Sequence, residues 1–225
     1  MNRKKKVLLS ALVFGALGAL AGATLADFTA QTKNPNNAFA AGTLVLSNTK
    51  QGGSTCLSTA GGATDSNVND NCDQLINLSV KSPGDSGTAN LTLKNEGDIS
   101  GATFKVFMAA CTASSPVSES YHGSADPCGS IQIYVQQWSS SNFTSPSACV
   151  YGGAQVANTC DFSDATKTLS NFNTSYNSSS SGLSLSGLNA GASKYYTIGV
   201  KLPQSGGNNL QGRQATFDLT WFLSQ

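Results

Sequence analysis

Short runs in which apolar and polar residues alternate recur along the chain, separated by stretches rich in Ser, Thr, Asn and Gly. Successive side chains of a β-strand point to opposite faces, so this alternation predicts strands with one buried face. Eight such runs occur: Gly42–Ser47, Ile76–Val80, Ala89–Leu93, Phe104–Met108, Ile131–Gln136, Leu183–Leu188, Tyr196–Leu202 and Ala215–Leu223. In the last run Phe217, Leu219 and Trp221 share one face, which predicts that Trp221 lies in the core.

No stretch has the 3.6-residue period of a long amphipathic helix. The pattern therefore predicts an all-β protein, an antiparallel β-sandwich that is jelly-roll-like and has long polar connections. One of these connections, Asn171–Gly182, is a low-complexity run of Asn and Ser. We expect it to be a mobile surface loop.

The first 26 residues differ from the rest of the chain. Arg3–Lys6 is a basic run, and Val7–Ala26 has no charge and ends on small residues. This layout is typical of a cleavable secretory signal peptide. A permanent membrane anchor is the alternative, because about 20 apolar residues span a bilayer, although three glycines dilute this stretch. We expect residues 1–26 to be removed on export.

Removal of this segment changes the charge of the protein. Four of the 13 basic residues and none of the 12 acidic residues lie in residues 1–26, so residues 27–225 carry a net charge of −3. A weakly acidic domain with scattered charges has no basic patch for nucleic acid or for an anionic membrane surface. We therefore expect no nucleic-acid partner and no membrane association after cleavage.

The six cysteines all lie beyond the signal segment: Cys56, Cys72, Cys111, Cys128, Cys149 and Cys160. An exported protein meets an oxidising environment, so an even number of cysteines predicts disulfides, although six cysteines allow many pairings. Pairing in sequence order closes the shortest loops and is our first expectation. A metal–thiolate cluster is disfavoured, because no Cys-x2-Cys spacing occurs.

The chain contains little that supports catalysis. His122, within a cysteine-bracketed loop, is the single histidine. Hydrolytic zinc sites usually need three protein ligands, and a Ser-His-Asp triad needs a positioned histidine. No His-Glu-x-x-His and no Gly-x-Ser-x-Gly motif occurs. We predict that the protein is not an enzyme and assign no catalytic residue.

One stretch is dense in side-chain oxygens and is the candidate site for a metal ion. The candidate calcium ligands are Asp65, Asn67, Asn69, Asp70 and Asp73. Their spacing matches the start of a calcium-binding loop, but Asp70 replaces the glycine of the sharp turn and Ile76 replaces the bidentate acid. The alternative is an Asn/Asp-rich surface turn closed by a disulfide. We therefore predict no cofactor and keep calcium as the alternative.

Aromatic side chains are candidates for a carbohydrate platform. These are Trp138, Tyr195, Tyr196 and Trp221. Trp221 belongs to the predicted core, so the exposure of Trp138 and Tyr195 decides this hypothesis.

Two segments resemble a known family. Residues 22–46 read GATLADFTAQTKNPNNAFAAGTLVL, and Leu91–Ile99 reads LTLKNEGDI. They resemble the signal junction, and a strand with its Asn-x-Gly turn, in the TasA/camelysin family. The resemblance implies cleavage between Ala26 and Asp27 by a signal peptidase of the SipW type. It also implies a jelly-roll-like fold and a fibre subunit of the surface or biofilm matrix of a Gram-positive bacterium.

Residues 27–41 lie between the expected cleavage point and the predicted β-sandwich domain, residues 42–225. This segment contains Phe28 and Phe39 among mostly polar residues. Once released, it could add as a strand to the exposed sheet edge of a neighbouring copy. The predicted function is a secreted structural protein that assembles with copies of itself or with related matrix subunits. The alternatives are a monomeric carbohydrate- or protein-binding module and a camelysin-like metalloendopeptidase.

Overall fold

The computed structural model describes residues 41–62, 67–77, 82–115 and 123–225. The strands are β1 (Leu46–Lys50), β2 (Thr55–Leu57), β3 (Ser86–Asn95), β4 (Thr103–Phe107), β5 (Cys111–Ser114), β6 (Gln132–Trp138), β7 (Pro146–Tyr151), β8 (Gly153–Val156), β9 (Thr159–Asp161), β10 (Leu183–Leu185), β11 (Ser193–Lys201), β12 (Gln214–Phe217) and β13 (Thr220–Ser224). The helical elements are α1 (Pro127–Ser130), α2 (Leu169–Ser175) and the 3-10 segments Ser58–Ala60 and Gln204–Leu210. The expected signal peptide, residues 1–26, and residues 27–40 lie outside the described residues.

Antiparallel pairing joins the strands into sheets. The largest has six strands in the order β2-β1-β3-β11-β6-β7, and a smaller one has the order β10-β4-β13. The pairs β5–β12 and β8–β9 form two further ribbons. The predicted all-β, antiparallel sandwich is confirmed. In the part of the chain that the structure describes, no helix combines the length and apolar character needed to cross a membrane.

The core lies between the six-stranded sheet and β4. Alternate positions of β3 and β11 contribute fully buried side chains, among them Leu91, Leu93 and Ile198, and β4 contributes Phe104. Full burial of a side chain of this size stabilises the fold by about 1.5–3 kcal/mol. Trp221 is partly buried against this core, with its ring centre 6.3 Å from that of Phe104.

Three disulfides close the loops between neighbouring cysteines. Cys56 pairs with Cys72, Cys111 with Cys128 and Cys149 with Cys160, at sequence separations of 16, 17 and 11. The expected pairing in sequence order is confirmed. Loops of this size contribute about 3 kcal/mol each in the chain-entropy account of the unfolded state.

The prediction of a mobile loop at Asn171–Gly182 is wrong for its first part. Leu169–Ser175 forms α2, whose first turn is capped by the side chain of Thr168. Phe172 is fully buried, and its ring centre lies 4.9 Å from that of Tyr151. The run of Asn and Ser hides this helix, because a seven-residue helix has only a short apolar stripe and depends on packing for its stability.

Three of the predicted strands differ most clearly from the structure. The run Ala215–Leu223 divides into β12 and β13, which pair with β5 and β4 respectively. The first strand begins at Leu46 instead of Gly42. Ile76 lies in a stretch without regular secondary structure, and residues 78–80 lie outside the described residues. Alternation marks which side chains face a core, but it does not mark where backbone pairing stops.

Candidate assembly surface

The first described residues are held against the loop that follows β3. Asp98 accepts hydrogen bonds from the backbone N–H and the hydroxyl of Thr43, and these bonds lower the pKa of its carboxyl group. The N–H of Glu96 donates to the carbonyl of Val45 at 2.7 Å, and that of Ile99 donates to the carbonyl of Thr43 at 3.1 Å. The chain therefore enters the domain along this loop.

Asn95 and Gly97 form the turn on which this contact depends. The side chain of Asn95 is fully buried. Its amide nitrogen donates to the carbonyl of Ile99 at 2.7 Å, and its oxygen accepts from the N–H of Gly97 at 3.0 Å. A Cβ at Gly97 would lie 2.2 Å from the carbonyl oxygen of Thr43. The Asn-x-Gly turn therefore contacts Thr43 and Val45, so the described parts of the two segments that carry the family resemblance lie against each other.

One edge of the six-stranded sheet is β2, and the loop closed by the first disulfide lies against it. The side-chain amide of Asn69 donates to the carbonyl of Leu57 at 2.9 Å. The carboxylate of Asp73 accepts from the N–H of Ser54 at 2.9 Å. Because these backbone groups are already paired, the loop protects this edge against addition of another strand.

The other edge of this sheet is β7, and the β8–β9 ribbon lies against it. Cys149 of β7 is joined to Cys160 of β9. Gln136, which is 2% exposed, lies where the pairing of β6 with β7 shifts register. Its amide donates to the carbonyls of Ala148 and Asn158, both at 2.9 Å, and its oxygen accepts from the N–H of Cys160 at 2.6 Å. This buried amide replaces ladder bonds that the register shift removes.

Sequence alternation assigned Gln132 and Gln136 to the polar face of β6, and the structure buries both. Gln132 is 6% exposed, and its amide donates to the carbonyls of Phe162 and Asp164, each at 3.0 Å. Both glutamines satisfy carbonyls of connections that cross the outer face of the sheet. The one feature of the sequence that hints at this burial is the presence of two glutamines in a strand near a cysteine-closed loop. It does not reveal which carbonyls they bind.

The smaller sheet ends, in the described residues, at β13. This strand carries three half-buried apolar side chains, Trp221, Phe222 and Leu223. The indole nitrogen of Trp221 is buried and has no hydrogen-bond partner within the described part of the chain. A Cβ on Gly101 would lie 2.2 Å from Cδ1 of Leu223. Gly101 follows the loop that binds Thr43, so this loop lies close to the end of β13.

The opposite edge of the smaller sheet is β10, which has three residues. β13 is longer, at five residues, and four of them are half-buried. Among the sheet edges in the described ranges, β13 therefore combines the greatest open length with apolar side chains.

Three of the five candidate calcium ligands use their side chains within the protein. Asn67, Asn69 and Asp73 each make hydrogen bonds to neighbouring protein groups. Asp70 is exposed, and Asp65 lies outside the described residues. In the described ranges, no three acidic, cysteine or histidine side chains are grouped as metal ligands. The absence of a cofactor stays a prediction, with calcium as its alternative.

The four aromatic candidates separate into two pairs. Tyr196 is fully buried, and its ring centre lies 5.5 Å from that of Trp221 on the core side. Trp138 and Tyr195 lie directly opposite each other on β6 and β11, and both are partly exposed. Of the four, Trp138 and Tyr195 are the two that lie on the face of the six-stranded sheet opposite its core side.

Several predicted sites fall on residues that the structure does not describe. The cleavage site Ala26–Asp27, the assembly candidates Phe28 and Phe39, and His122 lie outside the described ranges. Comparison with protein-family models and with curated proteins gives no match for this chain. The resemblance to the TasA/camelysin family therefore rests on the two segments quoted above.

Proposed function

We propose that the protein is a secreted structural protein of the cell surface or extracellular matrix. In this proposal, a signal peptidase of the SipW type removes residues 1–26, and copies of the mature chain then assemble by strand addition. The observation that carries the proposal is the apolar strand β13, which is an edge of the smaller sheet within the described residues and lies close to the loop that binds Thr43.

The edges of the two sheets differ in a way that favours β13 as the docking strand. Disulfide-closed segments lie against both β2 and β7, whereas an uncovered edge strand presents N–H and C=O groups that an added strand can pair. Trp221 and Leu223 pack towards the core, and Phe222 lies on the other face. An added strand would cover apolar surface on both faces while it completes the backbone ladder.

The segment 27–41 is long enough to act as the added strand. Its 15 residues span up to about 50 Å when extended, whereas β13, with five residues, is about 17 Å long. The segment can therefore reach the β13 edge of an adjacent copy. Phe28 and Phe39 are 11 residues apart, which is about 36 Å in an extended chain, so one of them at a time supplies an apolar side chain to a contact of this length.

Electron microscopy of the protein obtained by expressing the full chain tests the proposal. We expect filaments from the wild-type protein. Deletion of Asp27–Ala38 should leave a folded monomer, as judged by circular dichroism and light scattering. A wild-type protein that stays monomeric, or a deletion variant that still forms filaments, would refute the proposal.

A charge placed on β13 tests which edge is used. Phe222→Glu puts a carboxylate opposite Lys105 of β4, so the monomer gains a favourable cross-strand pair while the edge becomes charged. We expect this variant to lose filaments. Val156→Glu is the matched control, because Val156 is apolar and 66% exposed but belongs to the β8–β9 ribbon. Equal loss of filaments in both variants would argue against docking at β13.

A further inference from the structure

The outer face of the six-stranded sheet carries a row of side chains that crosses five strands. In register from β6 to β2, the row consists of Trp138, Tyr195, Thr92, Thr49 and Thr55. Neighbouring strands lie about 4.8 Å apart, so the row is about 19 Å long. Each of the five residues is at least partly exposed. The face therefore presents two rings and three hydroxyl-bearing side chains along one line.

A second row on the same face holds the tryptophan in place. The indole N–H of Trp138 donates to the hydroxyl of Thr197 at 2.7 Å, and that hydroxyl donates to the side-chain oxygen of Asn90. The amide of Asn90 donates in turn to Gln51 at 2.9 Å. Since these bonds exist within the protein itself, the ring loses little freedom when a ligand binds, which favours affinity.

The turn between β6 and β7 adds a third ring at the aromatic end of the row. Phe143 has a φ of +53°, a left-handed backbone conformation that is unusual for a bulky residue. Its ring centre lies 6.1 Å from that of Tyr195, with 85° between the ring planes. Backbone strain of this kind persists only where the surroundings enforce it, and it is concentrated at functional sites.

The two rows contain no charged side chain. At one end of the face Lys94 is paired with Glu96 at 2.5 Å, and at the other end Lys201 lies 5.8 Å from the ring centre of Phe162. A nucleic acid would need a basic strip, and the core of a protein interface is aromatic and apolar rather than rich in threonine. The chemistry of this face therefore matches an uncharged polar ligand.

We propose that this face binds a neutral polysaccharide. The C–H faces of sugar rings stack on Trp138 and Tyr195, because aromatic faces attract such partly positive hydrogens. Sugar hydroxyls bond to Thr92, Thr49 and Asn90, whose hydroxyl and amide groups both donate and accept hydrogen bonds. The chain lies across the strands along the row. The site does not depend on self-assembly, because β13 belongs to the other sheet.

Titration with neutral oligosaccharides tests the site. Protein obtained by expressing the full chain is titrated with cellohexaose, chitohexaose and maltohexaose, and binding is followed by calorimetry and by tryptophan fluorescence. We expect at least one of the three to bind with a saturable fluorescence change. Trp138→Ala should weaken binding about tenfold or more, and Thr92→Asp, which places a carboxylate in the middle of the row, should do the same.

A control variant tests whether the effect is specific to this face, and a second variant guards against misfolding of the first. Val156→Ala, on the exposed β8–β9 ribbon, should bind as the wild-type protein does. Thr92→Asp alters a partly exposed position, so it tests the row even if Trp138→Ala does not fold; circular dichroism checks both. Absence of binding by all three hexaoses at millimolar concentration overturns the proposal, and so does wild-type affinity in a folded Thr92→Asp variant.

Discussion

Replacement of Gln136 by methionine tests what holds the covered edge at β7. Methionine has a similar length and volume, so the change removes hydrogen bonds without opening a large cavity. The amide nitrogen of Gln136 lies within 2.9 Å of the carbonyl oxygens of Gln137, Ala148 and Asn158, and its oxygen accepts from the N–H of Cys160. An amide has two N–H groups. The substitution therefore leaves one buried N–H and about two carbonyls without partners.

The magnitude follows from these groups. A buried polar group left unpaired destabilises a protein by about 1–3 kcal/mol. The buried methionine side chain is less polar than glutamine, and this offsets part of the loss. We therefore expect the free energy of unfolding to fall by about 3–5 kcal/mol. This is a large share of the roughly 5–15 kcal/mol that stabilises a typical domain. For a domain of this size it lowers Tm by about 10 °C.

Urea unfolding followed by tryptophan fluorescence measures the effect. Gln137→Met is the matched control, because Gln137 is adjacent, half-exposed, and makes no side-chain hydrogen bond with the described residues. We expect this control to change the free energy of unfolding by less than about 1 kcal/mol. If the two variants unfold within about 1 kcal/mol of each other, the buried amide does not hold this edge and the reasoning is refuted.

Two further predictions concern a turn and a buried phenol. Gly97→Ala should destabilise the protein by about 1–3 kcal/mol, because the new Cβ would lie 2.2 Å from the carbonyl oxygen of Thr43. Gly187→Ala is the control, with the nearest atom 3.3 Å away, and equal thermal stability of the two variants would contradict the argument. Burial raises the pKa of Tyr151 to about 12. Its stabilising contribution is therefore complete below the unfolded pKa of about 10 and is lost as pH rises through about 12. Tyr151→Phe should move the alkaline unfolding midpoint to higher pH, and an unchanged midpoint would count against this cause.

The strands could be predicted where one face is buried and the other is exposed to solvent. On β3 and β11, Leu91, Leu93 and Ile198 alternate with polar residues, and each lies in the core as expected. The same logic failed at Gln132 and Gln136 of β6, because the connections that these two side chains bind cover this part of the outer face. A residue pattern reports exposure only when nothing else in the fold covers the face.

The candidate assembly edge could be predicted only in part. The chain pattern indicated that the last apolar run is a strand, but β13 becomes an edge only through the order in which distant segments pair. Whether the edges at β2 and β7 are covered depends on where the disulfide-closed loops lie. The cysteine spacing predicted which cysteines pair, but it did not predict which strands their loops cover. Likewise, the line from Trp138 to Thr55 needs the register of four strand pairs.

The sequence by itself determined the all-β character and the inward face of most strands, and it made pairing of Cys56, Cys111 and Cys149 with the next cysteine the first expectation. These follow from local quantities, namely the two-residue period of a strand and the short loops between neighbouring cysteines. The tertiary structure alone decided which of the described strands are sheet edges, which glutamines are buried, and which rings share a face. Those features depend on long-range pairing, because residues far apart in the chain meet there and no local pattern encodes that meeting.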